Sequence, residues 1–138
     1  MKKALSLLLI AILCVGLFAG CAGGEKGRVY WLNFKPESDE VLQEVAKMYT
    51  EETGVEVKVL TAASGTYNQT LLAEMDKAEA PTLFVIGNQN AVKEWKDYAL
   101  NLKDSAIAKE LNTDAYNMYD ADGNLVSIGY CYECYGII

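Results

Sequence analysis

Between residues 28 and 98 the apolar positions switch repeatedly between a strand period and a helix period. Arg28 to Phe34, "RVYWLNF", is β-branched and aromatic, which predicts a strand. Pro36 blocks its continuation, and Ser38 followed by Asp39 and Glu40 supplies a helix cap and an acidic first turn. Val41, Leu42, Val45, Met48 and Tyr49 then recur at helical spacing, and Gly54 closes the helix. Val55, Val57 and Val59 alternate with Glu56 and Lys58, which predicts a second strand with one face less buried than the other. After the small-residue loop Thr61 to Thr66, Tyr67, Leu71, Leu72, Met75 and Ala78 mark a second helix that ends before Pro81. Leu83-Phe84-Val85-Ile86 has no polar break, as expected of a central strand covered on both faces. Gly87-Asn88-Gln89-Asn90 turns into a third helix carrying Trp95 and Tyr98.

Three strand-helix units in series imply an α/β fold with a mostly parallel sheet, right-handed crossovers and flanking helices. Beyond them "DSAIAKEL" predicts a short helix, and "DADG", Asp120 to Gly123, a turn joining two short extended segments. The closing stretch "LVSIGYCYECYGII" ends on Ile137-Ile138 in mid-pattern, without a polar tail or helix stop, so the expected lobe is incomplete at its C-terminus.

Ahead of all this stands a segment of a different kind. Met-Lys-Lys opens the chain, an uncharged run from Ala4 through Ala19 follows, and then come Gly20, Cys21, Ala22, Gly23 and Gly24. A positive start, an apolar stretch and small residues at a cleavage zone are the layout of a secretory signal. A membrane-spanning anchor is the rival, since a helix needs roughly 20 apolar residues to cross a bilayer; the small, weakly apolar end favours cleavage. Leu17-Phe18-Ala19-Gly20-Cys21 resembles a bacterial lipobox, in which the cysteine is lipidated and becomes the first residue of the mature protein, although Phe18 stands where Leu is usual. The expected organisation is a lipoprotein signal peptide over 1–20, a lipidated cysteine and flexible tether over 21–27, and the α/β lobe over 28–138. The other possibility is an ordinary cysteine in a leader.

Charge narrows the functions. The whole chain carries 12 basic and 19 acidic residues; subtracting Lys2 and Lys3 with the leader leaves 10 basic ones and a net charge of −9. Such a surface repels nucleic acid and anionic headgroups. With no histidine in the chain, a catalytic triad, an imidazole base and the usual zinc and iron ligand sets are excluded. No catalytic residue, metal site or cofactor is expected.

In open α/β sheets ligands bind beyond the carboxyl ends of the strands. The loops there are Asn33 to Glu37, Ala62 to Tyr67 and Gly87 to Asn90, rich in amides and hydroxyls with one lysine and one carboxylate. Such groups hydrogen-bond neutral hydroxyls, while Tyr and Trp offer flat apolar faces to a sugar ring. Ordinary polar loops with helix caps have the same composition. In "GYCYECYG" a lone Glu133 is costly among apolar neighbours unless it meets water, a partner or a ligand. Cys131 and Cys134 form a C-x-x-C, which opens the alternative of an envelope thiol oxidoreductase; two small packed residues are the plainer reading.

"GRVYWLNFKPE", "YTEETGVEVKV", "AASGTYNQTL", "APTLFVIGN", "WKDYALNL" and "YECYGII", taken in order over Gly27 to Ile138, resemble extracellular solute-binding lipoproteins of carbohydrate ABC transporters, the branch related to maltose-binding proteins. The resemblance implies a periplasmic-binding-protein-like (type II) architecture of two α/β lobes, with the leading part of the first in this chain. It also implies a cleft lined at Asn33, Lys35, Glu37, Ser64, Tyr67, Asn88 and Glu133. Cys131 and Cys134 depart from the small residues expected around Glu133. The implied protein is a monomeric receptor, anchored through Cys21 on the extracytoplasmic face of the cell membrane, that delivers a sugar or oligosaccharide to permease subunits and catalyses nothing. Within the same fold a non-sugar solute is the alternative, and a purely structural envelope lipoprotein is a further one.

Overall fold

The structure, a computed structural model, describes residues 27–129, so the expected signal peptide, Cys21, Cys131, Glu133 and Cys134 lie outside the described residues. The chain divides into two compact units, meeting in sequence at Leu83 and Phe84.

The first unit is built on β1 (Arg28–Asn33) and β2 (Glu56–Thr61), paired in parallel without slip from Arg28 opposite Glu56 to Asn33 opposite Thr61. Because the two strands are equal in length and in register, they end side by side, and their last side chains face the same environment. Tyr30, Leu32 and Asn33 of β1 are buried, and Leu32 is fully enclosed. A 3-10 turn, Pro36–Ser38, leads into α1 (Asp39–Thr53), which ends as expected at Gly54. Gly54 takes a left-handed φ of 71°, the conformation glycine adopts at least cost, and its N–H closes on the Thr50 carbonyl. Ser38, the expected cap, makes no capping bond with its side chain; the 3-10 turn already directs the chain into the helix.

How α1 docks differs from its apolar pattern. Val41, Val45, Met48 and Tyr49 stand exposed, while the stripe facing inward is Leu42, Ala46, Thr50 and Thr53. Thr50 and Thr53 of that stripe, with the exposed Gln43 beside it, hydrogen-bond the backbone of β2 and of Val55 just ahead of it. Thr50 Oγ1 accepts from Val57 N at 3.1 Å, Thr53 Oγ1 accepts from Val55 N at 3.1 Å, and Gln43 Nε2 donates to Val59 O at 3.2 Å. Main-chain groups of β2 that turn toward the helix are thereby matched by its side chains, which is one way an edge is covered.

The second helix, α2 (Tyr67–Met75), closes three residues before Ala78, the last position of the expected apolar series. The expected third strand, Leu83 to Ile86, is reduced to a single parallel bridge between Leu83 and Trp31. Leu83 N donates to Tyr30 O and Leu83 O accepts from Leu32 N, but Leu83 itself is half exposed rather than covered on both faces. Thr82 accounts for part of this: its side chain takes the Tyr30 N–H at 2.9 Å, so a hydroxyl stands where a strand would present a carbonyl.

The second unit holds α3 (Val92–Trp95), continued by a 3-10 turn Lys96–Tyr98, then α4 (Ala106–Lys109) and a small antiparallel hairpin of β3 (Met118–Tyr119) and β4 (Leu125–Ser127). Trp95 is buried, edge-on to Phe84 at 6.0 Å and tilted against Tyr98 at 5.7 Å. Ser105 caps α4 by accepting from Ala108 N. The turn at "DADG" forms as its composition predicts. Asp120 accepts from the backbone N–H groups of Asp122 and Asn124 and from the Asn124 side chain, and Gly123 supplies the positive φ of 79°. These bonds, the Asn124 side chain first, hold the Asp120 carboxyl below its usual range.

Candidate functional site

At the carboxyl ends of β1 and β2 the in-register pairing brings two of the expected loops together. Asn33, the last residue of β1, is 3% exposed, and its amide is engaged by the chain itself. Nδ2 donates to Lys35 O at 2.8 Å and to Thr61 Oγ1 at 3.0 Å, and Oδ1 accepts from Lys35 N at 3.0 Å. The Thr61 hydroxyl in turn donates to Asp39 Oδ1, which also accepts from Gln43 Nε2 at 3.3 Å. Asn33 thus shapes the turn from within, and the groups turned outward are those of the following residues.

Those residues form a rim. Lys35 is half-buried, with its ammonium 3.6 Å from the exposed Glu37 carboxylate and 5.1 Å from the centre of the Phe34 ring. Phe34 meets Tyr67 edge to face at 5.9 Å, and the Tyr67 hydroxyl donates to Leu32 O at 3.3 Å. The ring that opens α2 is therefore fixed to the end of β1 at both its edge and its hydroxyl. Ser64 lies exposed on the same loop as Tyr67, where Gly65 adopts a positive φ of 76° and Thr66 turns back to Ala63. Four expected residues, Asn33, Lys35, Glu37 and Tyr67, are linked by these contacts, and Ser64 stands on their border.

Asn88 belongs to the second unit, where its exposed side chain accepts from Asn90 N at 2.9 Å and Ala91 N at 3.1 Å and so starts the turn into α3. Sequence reasoning missed Thr61 and Phe34, and it read Asp39 only as part of an acidic first turn. Phe34 follows the strand in sequence like any apolar residue. Thr61 and Asp39 declare themselves only when register and helix entry are known.

At the amino ends of the same strands lies a cavity of about 280 Å³, walled by Arg28, Tyr30, Glu56, Lys58, Glu79 and Thr82 among others. In its wall Arg28 Nη1 meets Glu79 at 3.0 Å, and the Lys58 ammonium sits 4.0 Å over the Tyr30 ring. Behind it Tyr30 donates its hydroxyl to the buried Glu74 at 2.9 Å, and Lys77 pairs with the other carboxylate oxygen at 2.6 Å. Burial first, then the Glu74 bond and charge, push the Tyr30 phenol up to about 12. The Lys77 and Tyr30 hydrogen bonds hold the Glu74 carboxyl below its ordinary value against the opposing effect of burial. No group of three or more potential metal ligands is found among the described residues.

A parallel α/β unit whose outward polar groups gather in strand-end loops is the architecture of a small-molecule receptor lobe, with ligand groups at the loops and a packed interior behind them. The sequence pattern of the bacterial extracellular solute-binding proteins matches residues 44–138. The chain belongs to that family. Among solved structures the apo form of RafE from Streptococcus pneumoniae shares the fold, with a TM-score of 0.52 and 18% sequence identity over 68% of this chain. The chain covers 24% of RafE. No curated protein sequence matches it significantly. No helix among the described residues is long and apolar enough to cross a membrane.

Proposed function

We propose that the chain is the leading part of an extracytoplasmic receptor that binds a sugar or oligosaccharide and presents it to the permease subunits of an ABC importer. The carrying observation is the linked rim of Phe34, Lys35, Glu37 and Tyr67, bordered by Ser64, which sets an ammonium, a carboxylate and a hydroxyl beside aromatic carbon. A sugar presents hydroxyls on its edge and C–H groups on its faces, and such a rim meets both. Asn88 and Glu133 complete the proposed lining. In this reading a solute that touches two lobes at once stabilises the hinge-closed form by its greater affinity for it, and the transporter recognises that form. Binding and release make and break no covalent bond, so the protein is not an enzyme.

Tryptophan fluorescence and calorimetry on the complete protein, against a panel of mono-, di- and oligosaccharides, test the proposal. Saturable binding of a panel sugar supports it. A folded protein that answers to none of them overturns the sugar assignment.

The proposed tether is Cys21, lipidated after removal of residues 1–20, which places a monomeric receptor on the outer face of the cell membrane. Two or more acyl chains give stable anchoring where one gives marginal binding. Substitution Cys21→Ser is expected to abolish labelling by radioactive palmitate and to move the protein from the membrane to the soluble fraction. Retention of label in the variant would rule out this anchor.

A further inference from the structure

The strand-end network contains a directional constraint that the rim alone does not reveal. A threonine hydroxyl has one proton, and that of Thr61 is committed to Asp39 Oδ1. Its oxygen therefore meets Asn33 as an acceptor, and only the NH2 side of the Asn33 amide satisfies it, as observed at 3.0 Å. With Nδ2 fixed on that side, Oδ1 is left for the Lys35 N–H, and the second Nδ2 proton reaches the Lys35 carbonyl. Reverse the proton on Thr61, so that it donates to Asn33, and the amide turns over. Its NH2 then faces the Lys35 N–H and its oxygen faces the Lys35 carbonyl, which sets donor against donor and acceptor against acceptor.

We propose that Asp39 is a positioning residue for the ligand rim, fixing the backbone of Lys35 through the relay Asp39, Thr61, Asn33. The relay joins three elements: Asp39 is the first residue of α1, Thr61 the last of β2 and Asn33 the last of β1. Asn33 is buried and Asp39 and Thr61 are half-buried, so water competes poorly for their bonds. In this scheme Asp39 and Thr61 act behind the rim, and Asn33, which the sequence resemblance places in the cleft lining, acts through the Lys35 backbone to which its amide is bonded. The three hold the loop whose lysine meets the solute, and in this sense the inference rests on the proposed function of the rim.

The test is made on the complete protein without any ligand, by NMR amide exchange at Lys35 and by the side-chain NH2 resonances of Asn33. Asp39→Ala and Thr61→Val remove an acceptor or the hydroxyl and are expected to speed exchange of the Lys35 amide by about tenfold or more, the scale of one hydrogen bond to a charged group. Asp39→Asn and Thr61→Ser keep an acceptor oxygen and a hydroxyl and are expected to restore most of the protection. Exchange at Leu32 N, which bonds Leu83 O in the sheet, serves as the internal control for folding. Unchanged Lys35 exchange in both Asp39→Ala and Thr61→Val overturns the relay. So does equal loss in Asp39→Asn and Asp39→Ala, because the relay requires an acceptor at that place. A protein that shows the expected pattern yet binds no panel sugar keeps the relay and loses the sugar assignment, so the two proposals fail separately.

Discussion

The two ends of the β1–β2 pair use ionisable groups in opposite ways. At the amino ends Glu74 and Tyr30 are buried and bonded to each other, and Lys77 and Lys58 close the arrangement from outside. At the carboxyl ends only the amide of Asn33 is buried, while Lys35, Glu37 and Ser64 lie half-buried or exposed around an aromatic corner. Buried charge is tolerated where its partners are supplied by the protein, and such a closed set has little left to offer a solute. The strand-end rim instead leaves Glu37 and Ser64 exposed. The cavity of about 280 Å³ lies at the amino ends, and the linked aromatic and charged rim at the carboxyl ends.

Substitutions separate the two ends. The largest effect is expected from Leu32→Ala, since Leu32 is fully enclosed between them. A loss of about 2–5 kcal/mol by chemical denaturation, with both ends affected together, is the expected result. An unfolding midpoint equal to that of the parent would contradict the core as described.

Tyr30→Phe acts on one end and is expected to cost about 1–2 kcal/mol, because the buried Glu74 loses a donor. Its pH signature is specific. Tyr30 titrates at about 12 in the folded chain against an ordinary 10.0, so its contribution is complete below pH 10 and is lost as pH rises through about 12. Glu74 has the opposite sign: its carboxyl is depressed, so its contribution is present above the ordinary 4.5 and is lost as pH falls through the lowered value. Denaturation of Tyr30→Phe across pH 9 to 12 should show a flatter alkaline decline than the parent, with sugar binding near neutrality retained.

The smallest effect on stability is expected at Lys35→Ala, within about 0.5 kcal/mol, as for other rim side chains. Its effect on binding of a panel sugar should be far larger, about tenfold in Kd. Equal binding by parent and variant would remove Lys35 from the site.

Much of this architecture was legible in the residues. The aromatic and β-branched run of β1, the alternating valines of β2 and the Gly54 stop of α1 are local signals, and each appears where its pattern placed it. Leu83 to Ile86 reads equally well as a strand, but pairing depends on neighbours, and Thr82 takes the first slot with its side chain. The helical period located α1 without revealing that its threonines, rather than Val41, Val45 and Met48, face β2. Loop composition pointed to Lys35, Glu37 and Tyr67; Thr61 carries no local mark at all. Glu133, Cys131 and Cys134 lie outside the described residues.

The side chains of α1 that bind the backbone of β2 also limit where a further strand can pair. Gln43 and Thr50 occupy one margin of the pair, so a newcomer strand meets groups already in use there. On the other margin Trp31 has accepted a single bridge from Leu83. A polypeptide made from its N-terminus completes α1 and β2 before Leu83 is synthesised. The groups that cover the β2 margin are therefore already in the nascent chain when Leu83 emerges, and the bridge that Leu83 makes is on the side of Trp31.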